Sequence, residues 1–150
     1  MTRVVALDPG RSKCGLLLAD INTNTVLEGM VVPSGEVLDQ LRDWLENAQK
    51  DSAEIAELII GDGTSSTIWQ QQLPANLRVC VVDETGTTLR ARERYWQLWP
   101  SRGWKRLLPL GLRIPAGDLD AIAALVILEN YLGRTLQWPG PNPLKNGLSP

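Results

Sequence analysis

Histidine is absent from this sequence of 150 residues, and cysteine occurs only twice. Without histidine, the chain cannot form Ser-His-Asp triads, Cys-His nucleophile pairs or any zinc or iron site that needs an imidazole ligand. Cys14 and Cys80 are too few for a structural zinc site, and a disulfide between them is not expected in a reducing compartment. We therefore expect both thiols to pack in the core and any chemistry to use other side chains.

Long apolar segments are also missing. The longest runs from Ala121 to Leu128, between Asp120 and Glu129, whereas a membrane span needs roughly 20 apolar residues. In the N-terminal segment MTRVVALD an acid appears before a hydrophobic region of signal-peptide length has formed. The sequence thus predicts a cytoplasmic protein with no membrane partner.

What is present fits one globular domain. Apolar residues make up 43% of the chain and charged residues 21%, an ordinary composition for a folded domain. The segment 139–150 contains four prolines and two glycines in twelve residues. The sequence predicts a domain over residues 1–138 and a flexible Pro/Gly-rich tail over residues 139–150.

Strand and helix patterns alternate along the chain. Apolar runs bounded by turn residues predict strands over residues 3–8, 15–20, 25–32, 58–61 and 78–83. Helical spacing predicts a helix capped by Ser34 and further helices over residues 65–73, 87–98 and 119–132. Three antiparallel strands followed by two right-handed crossovers give a five-stranded mixed sheet of order 3-2-1-4-5 with helices on both faces. This is an α/β fold of the ribonuclease H type.

Acidic residues follow the strands that would run parallel, and others precede or open the last helix. They are Asp8, Asp62, Asp83, Glu84, Asp118 and Asp120. Ligands of such sheets bind beyond the carboxyl ends of the parallel strands, and carboxylate oxygens suit Mg²⁺ or Mn²⁺. Two such ions roughly 4 Å apart activate water and stabilise the leaving oxygen of a phosphodiester. Each acid also has a structural explanation, as a turn residue or a helix cap.

Positive charge is concentrated in one segment. The formal charge of the chain is −2, but residues 90–113 carry seven bases and one acid, a local charge of +6. Tyr95, Trp96, Trp99 and Trp104 are interleaved with these bases, a combination suited to nucleic-acid single strands or junctions. The bases that we expect to contact phosphates are Arg11, Lys13, Arg90, Arg92, Arg102, Lys105 and Arg106. The alternative is that the aromatic residues belong to the core and the bases are only solvated.

Three segments carry a family resemblance: LDPGRSKCGLLLAD, VVDETGTTLRAR and DLDAIAALVILENYL. In this order they resemble the characteristic blocks of the YqgF/RuvX group, nucleases of precursor ribosomal RNA related to RuvC-type Holliday junction resolvases. The resemblance covers roughly residues 3 to 133. It implies an acid on strand one, a glutamate after strand five and an aspartate in the last helix. These catalytic positions fall on Asp8, Glu84 and Asp120.

The chain departs from this group at two places. Asp83-Glu84-Thr85 stands where the group usually has Asp-Glu-Arg, and IIGDGTSS follows strand four where the group commonly has Gly-x-Pro. The Asp-Pro-Gly after strand one and Asp62 after strand four instead resemble the resolvase branch. Because strands one and four should be neighbours at about 4.8 Å, Asp62 and Glu84 are alternatives for the second metal-ligand position.

These observations favour a magnesium-dependent endonuclease that acts on structured RNA, such as a ribosomal RNA precursor, or on branched DNA. Its metal ligands would be Asp8, Asp120 and either Glu84 or Asp62. The alternative is a nucleic-acid-binding module of the same fold that has lost cleavage. A third interpretation is a protein-interaction scaffold with exposed tryptophans. Assembly into a homodimer is left open.

Overall fold

The computed structural model describes residues 1–63, 66–83, 86–100, 107 and 118–143. In chain order the elements are β1 (Thr2–Asp8), β2 (Lys13–Asp20), β3 (Thr25–Pro33), α1 (Val37–Lys50), β4 (Glu54–Gly61), α2 (Ser66–Gln72), β5 (Arg78–Val82), α3 (Thr87–Leu98) and α4 (Asp120–Leu132). Strand β4 begins four residues before its predicted start. Its first four residues alternate between more and less exposed positions. Because Glu54 and Glu57 are among them, this part of the strand contains no apolar run and was not predicted.

The five strands form one mixed sheet of order β3-β2-β1-β4-β5. Strand β2 runs antiparallel to both β1 and β3, whereas β4 is parallel to β1 and β5 is parallel to β4. The predicted α/β fold and strand order are therefore confirmed. This topology brings the carboxyl ends of β1, β4 and β5 to one edge of the sheet. Asp8, Asp62 and Asp83 stand at or directly after these ends.

Alternation along β1 divides the core into two layers. Val5 and Leu7 pack on the α1 side with Trp44, whereas Val4 and Ala6 pack on the α4 side. Helix α4 lies between the sheet and α3, and every residue from 121 to 129 is buried. A helix that is apolar on all sides needs such a position, because each large buried side chain contributes about 1.5–3 kcal/mol by leaving water. No helix in the described ranges is long and apolar enough to cross a membrane.

The two cysteines are free thiols, as expected. Cys14 is fully buried in the core on the α1 side, and Cys80 is half-buried among the residues packed against the α4 side.

Ser34 does not cap α1, and that prediction is wrong. Residues Ser34–Glu36 form a 3-10 turn, and α1 begins after Glu36 without a side-chain cap. The pairing of β2 with β3 carries Ser34 next to the β1–β2 turn, where its hydroxyl donates to the Gly10 carbonyl at 3.1 Å. The Ser34 hydroxyl, which local sequence assigns to the helix cap, thus forms a tertiary hydrogen bond instead. This bond joins β3 to the turn that follows Asp8.

The C-terminal segment packs back onto the sheet. The Gln137 amide donates to the Asn24 carbonyl at 2.8 Å, and the Gln137 carbonyl accepts from the Val26 amide at 2.7 Å. Asn142, inside the predicted tail, is buried and donates to the Tyr95 hydroxyl at 2.8 Å. Residues 144–150 of the predicted tail lie outside the described residues.

Candidate carboxylate site

The first acid of the site stands at the end of β1. Asp8 pairs with Gly15 of β2 in the antiparallel register. Val4 and Ala6 face α4, so the alternation of the strand assigns Asp8 to that same face. Residues that pair directly across two strands share a face, and Gly15 therefore also faces α4.

Gly15 allows α4 to approach the sheet closely. A Cβ atom on this residue would lie 1.9 Å from the Asp120 carbonyl oxygen and 2.9 Å from the Ala121 nitrogen, which no real side chain tolerates. Because Gly15 is the partner of Asp8, this contact brings the first turn of α4 to the end of β1. The backbones of Asp8 and Asp120, far apart in the sequence, are thus brought to the same corner and the same face of the sheet.

An ion pair crosses this corner. The Lys13 ammonium, at the start of β2, contacts Asp118 Oδ2, and Asp118 Oδ1 accepts the Asp120 amide at 3.1 Å. Lys13 keeps 56% of its side chain exposed and Asp118 keeps 28%. Sequence reasoning considered both residues singly and did not foresee the pair.

Asp118 and Asp120 perturb each other. Burial raises the pKa of Asp120 to about 6, and the hydrogen bond and negative charge of Asp118 act in the same direction. Burial would also raise the pKa of Asp118, but hydrogen bonds from Lys13 and Asp120 outweigh it and hold that pKa below its usual range. The hydrogen bond to Asp118 raises the pKa of Lys13. The pair of Asp118 and Asp120 therefore holds one proton in mildly acidic solution.

Carboxylate oxygens are the ligands that hard divalent cations prefer. Asp118 and Asp120 lie side by side before and at the start of α4, and Asp8 ends β1. In the described part of the chain, however, no three Cys, Asp or Glu side chains are grouped closely enough to hold a metal ion.

The candidates for a further ligand lie beyond β4 and β5. Asp62 directly follows β4, is exposed, and donates its amide to the Val82 carbonyl at 2.9 Å. The last pair between β1 and β4 is Leu7 with Ile60, one residue before Asp8 and two residues before Asp62. Asp83 is exposed after β5, and Glu84 lies outside the described residues. The choice between Asp62 and Glu84 stays open.

The predicted phosphate contacts have different environments. Arg11 is exposed in the β1–β2 turn, next to the site, and Lys13 is engaged by Asp118. On α3, Arg90 is exposed and Arg92 is half-buried. Arg102, Lys105 and Arg106 lie outside the described residues, as does Trp104.

One base of the positive segment has a structural role that sequence reasoning missed. Arg94 Nε and Nη2 donate to the two carboxylate oxygens of Glu129 at 2.8 and 2.9 Å, and Nη2 also donates to the Leu136 carbonyl at 3.0 Å. The signal was present, because Glu129 interrupts the apolar pattern of α4 and a buried acid needs a partner.

The aromatic residues in and just after α3 pack as a cluster. The Tyr95 ring lies 4.8 Å from that of Trp96 and 5.5 Å from that of Trp99, and Trp99 lies 5.4 Å from Trp138. Tyr95 is buried, and both Trp96 and Trp99, the residue that follows α3, are partly buried against residues of α3 and α4. The sequence left two interpretations of the aromatic residues, packing in the core or stacking on nucleic-acid bases. For Tyr95, Trp96 and Trp99 the structure shows packing.

No family model matches the chain, and no curated protein matches its sequence. Among solved structures, T. thermophilus RuvC in complex with a Holliday junction substrate is 12% identical, with a TM-score of 0.50 over 91% of this chain and 99% of its own. Another Thermus thermophilus RuvC structure is 12% identical, with a TM-score of 0.46 over 89% and 98%. An Aquifex aeolicus Ppx/GppA phosphatase is 13% identical, with a TM-score of 0.40 over 67% and 42%. The first match and the observed strand order together show that this chain has the RuvC-like ribonuclease H fold.

Proposed function

We propose that the protein is a metal-dependent endonuclease of the YqgF/RuvX type. The proposal depends most on one observation: the close contact at Gly15 brings the first turn of α4, where Asp120 stands, to the end of β1, where Asp8 stands. Substrates of open α/β sheets bind beyond this edge. With no histidine in the chain, a carboxylate cluster is the natural apparatus for hydrolysis of a phosphodiester.

The residues divide into holding and positioning roles. Asp8 and Asp120 would hold the cation, with Asp62 or Glu84 as a further oxygen ligand. A bound Mg²⁺ or Mn²⁺ ion supplies the Lewis acidity that activates water and stabilises the leaving oxygen. Arg11 and Arg90, together with Arg102, Lys105 and Arg106, would hold the phosphates of the backbone and orient the scissile bond.

Two substrates are carried forward. The three segments that resemble the YqgF/RuvX group favour structured RNA, such as a ribosomal RNA precursor. The RuvC structure that shares this fold was solved with a Holliday junction, which favours branched DNA. Both are polyanions with bends or branches, and a site with positive charge at its margin suits either one.

The test is cleavage of a structured precursor RNA and of a four-way DNA junction in Mg²⁺, with EDTA as the metal-free control. We expect Asp8→Asn and Asp120→Asn each to lower the cleavage rate by at least about 100-fold, because each replaces a charged carboxylate ligand by a neutral amide. Asp43→Asn is the matched control, since Asp43 is exposed on α1 at the opposite face of the sheet. Full cleavage by both site variants would contradict the proposal.

The same assay identifies the further ligand. If Glu84 serves, Glu84→Gln abolishes cleavage and Asp62→Asn leaves it largely intact, whereas the resolvase-like arrangement gives the reverse. Small and equal effects of both substitutions would argue against a two-metal reaction.

The alternative function is a nucleic-acid-binding module that has lost cleavage. Two observations favour it: Thr85 stands where the related group usually has arginine, and no three acids of the described residues are grouped closely enough to hold a metal ion. Salt-dependent binding of both substrates without cleavage in Mg²⁺ or Mn²⁺ would support this alternative.

A further inference from the structure

A cleft of about 320 Å³ lies at the opposite end of β1 from the candidate carboxylate site. Arg3, near the start of β1, lines this cleft together with residues of β2, β3 and the last turns of α1. Val5 and Leu7 face α1, so the alternation of the strand assigns Arg3 to that side as well. Five residues of strand, about 17 Å, separate Arg3 from Asp8, which is assigned to the other face. The cleft is therefore distinct from the carboxylate corner.

The guanidinium of Arg3 is buried and only partly satisfied. Arg3 is 9% exposed. Among the described residues its hydrogen bonds leave from Nη2 alone, to Asp51 Oδ2 at 3.0 Å and to Met1 Sδ at 3.8 Å. Nε is buried and has no acceptor in this part of the chain. An arginine has five N–H donors, and a buried donor without an acceptor costs free energy, so this group retains capacity for a ligand oxygen.

Two irregularities of the sheet shape the same region. The register of β2 with β3 shifts after Leu18, so Leu27 is an extra residue without a partner on β2. Leu27 lines the cleft and is 39% exposed. The register of β1 with β4 shifts directly after Arg3. Bulges of this kind redirect side chains and are common beside functional sites. Here one of them supplies an exposed leucine to the cleft.

The charged lining of the cleft is balanced. Arg3 and Lys50 are positive, whereas Glu28 and Asp51 are negative. Glu28 Oε2 accepts the indole N–H of Trp44, which leaves the other oxygen of this exposed carboxylate for a second donor. A simple anion would be repelled by the two acids, and a simple cation by the two bases. A small zwitterion meets both signs of charge.

The remaining lining is apolar. Leu18 and Trp44 are buried side chains that border the cleft beside Leu27. Ligand pockets combine such apolar walls with a few polar groups that fix orientation, and a volume near 300 Å³ is at the small end of their range. The cleft thus fits a small molecule with two opposite charges and one apolar branch.

We propose that this cleft binds a free α-amino acid with an aliphatic side chain. The carboxylate of the ligand accepts hydrogen bonds from Arg3 and is further neutralised by Lys50. Its ammonium group donates to Glu28, and its side chain packs against Leu27. The site lies apart from the carboxylate corner, so this inference does not depend on the nuclease proposal.

The experiment measures binding of L-leucine to the full chain by titration calorimetry. We expect a Kd below about 1 mM. L-leucine methyl ester lacks the carboxylate, and N-acetyl-L-leucine lacks the ammonium group. Each should bind at least about 10-fold more weakly, because each loses a charge-assisted hydrogen bond. These three ligands test the proposal on the unaltered protein.

Two variants assign the contacts. Arg3→Met should weaken L-leucine binding by at least about 10-fold. Glu28→Gln keeps an oxygen for Trp44 but removes the charge, so it should reduce the preference for L-leucine over N-acetyl-L-leucine. Arg42→Met is the matched control and should bind as wild type, because Arg42 is 71% exposed on α1 and does not line the cleft.

Several results would overturn the proposal. They are absence of L-leucine binding to the wild-type protein, equal binding of the ester or of the N-acetyl derivative, and wild-type binding by both Arg3→Met and Glu28→Gln. Thermal unfolding of each variant shows whether it is folded. If Arg3→Met does not fold, the ligand series and Glu28→Gln still decide the question.

Discussion

Helix α4 has an ion pair near each end, and the two pairs differ in how completely their groups are satisfied. Near the C-terminal end, Arg94 and Glu129 have side chains only 15% and 9% exposed. At the N-terminal end, Lys13 and Asp118 are 56% and 28% exposed. Both pairs join distant parts of the chain to the same helix, but they differ in burial and in how far their charges are compensated.

The Arg94–Glu129 pair leaves no charge uncompensated. Both oxygens of Glu129 accept hydrogen bonds from Arg94, and one of them also accepts the Leu136 amide at 2.7 Å. The Lys13–Asp118 pair instead stands beside a second acid, Asp120, whose pKa is raised to about 6. The first pair is a fully satisfied contact that holds α3 to α4, whereas in the second the single lysine does not neutralise both neighbouring carboxylates.

The largest expected effect separates the two pairs by stability. Arg94→Ala should lower the free energy of unfolding by about 3–5 kcal/mol, because it leaves the Glu129 carboxylate buried without its partner. Lys13→Ala should produce no measurable loss, because exposed ion pairs contribute little. Urea unfolding of both variants measures the difference.

Arg90→Ala is the control for Arg94, since Arg90 is exposed on the same helix. Its stability should stay within about 0.5 kcal/mol of wild type. Equal losses in Arg94→Ala and Arg90→Ala would show that the buried pair does not hold α3 to α4.

An intermediate effect tests the contact that builds the carboxylate corner. Gly15→Ala should cost about 1–3 kcal/mol or more, because the added methyl group must displace the backbone of α4 at Asp120. Gly35→Ala is the matched control, because a Cβ at Gly35 meets nothing within 4 Å. Equal stability of the two glycine variants would contradict the close approach of α4.

The smallest expected effect concerns the pH dependence of the acid pair. The pKa of Asp120 in the folded protein, about 6, lies above its ordinary value, so the native state binds more protons than the unfolded chain between about pH 4 and 6. The contribution of Asp120 to stability therefore falls as pH rises through this window. The lowered pKa of Asp118 acts oppositely, and its contribution is lost only as pH falls below its ordinary value.

Asp120→Asn should flatten the decline between about pH 4 and 6 and leave the protein slightly more stable at neutral pH. The gain should be below about 1 kcal/mol, because a half-exposed acid is screened by solvent. Urea unfolding across this pH range measures it. A variant that keeps the wild-type slope would show that the two acids do not share a proton.

Local patterns in the sequence determined most of the fold. The apolar runs of β1 and β2, and the helical spacing of α1, are short-range signals that neighbouring residues suffice to set. The handedness of the crossovers then leaves little choice of strand order. Asp8 and Asp120 could be assigned to one edge for the same reason, since each adjoins a well-defined element. Strand β4 was underestimated because Glu54 and Glu57 interrupt its first half, which therefore does not form an apolar run.

Only the tertiary structure decided which charged side chains form buried ion pairs that stabilise the fold and which stay exposed to solvent. In the sequence Arg94 and Arg90 are equal members of one basic segment, but Arg94 meets a carboxylate 35 residues away and becomes buried, while Arg90 stays exposed. Lys13 likewise meets Asp118 only because Gly15 lets α4 close on the sheet. Charge counts and periodicity carry no record of such partners, because the energy of an ion pair depends on burial and distance, which the folded chain alone supplies.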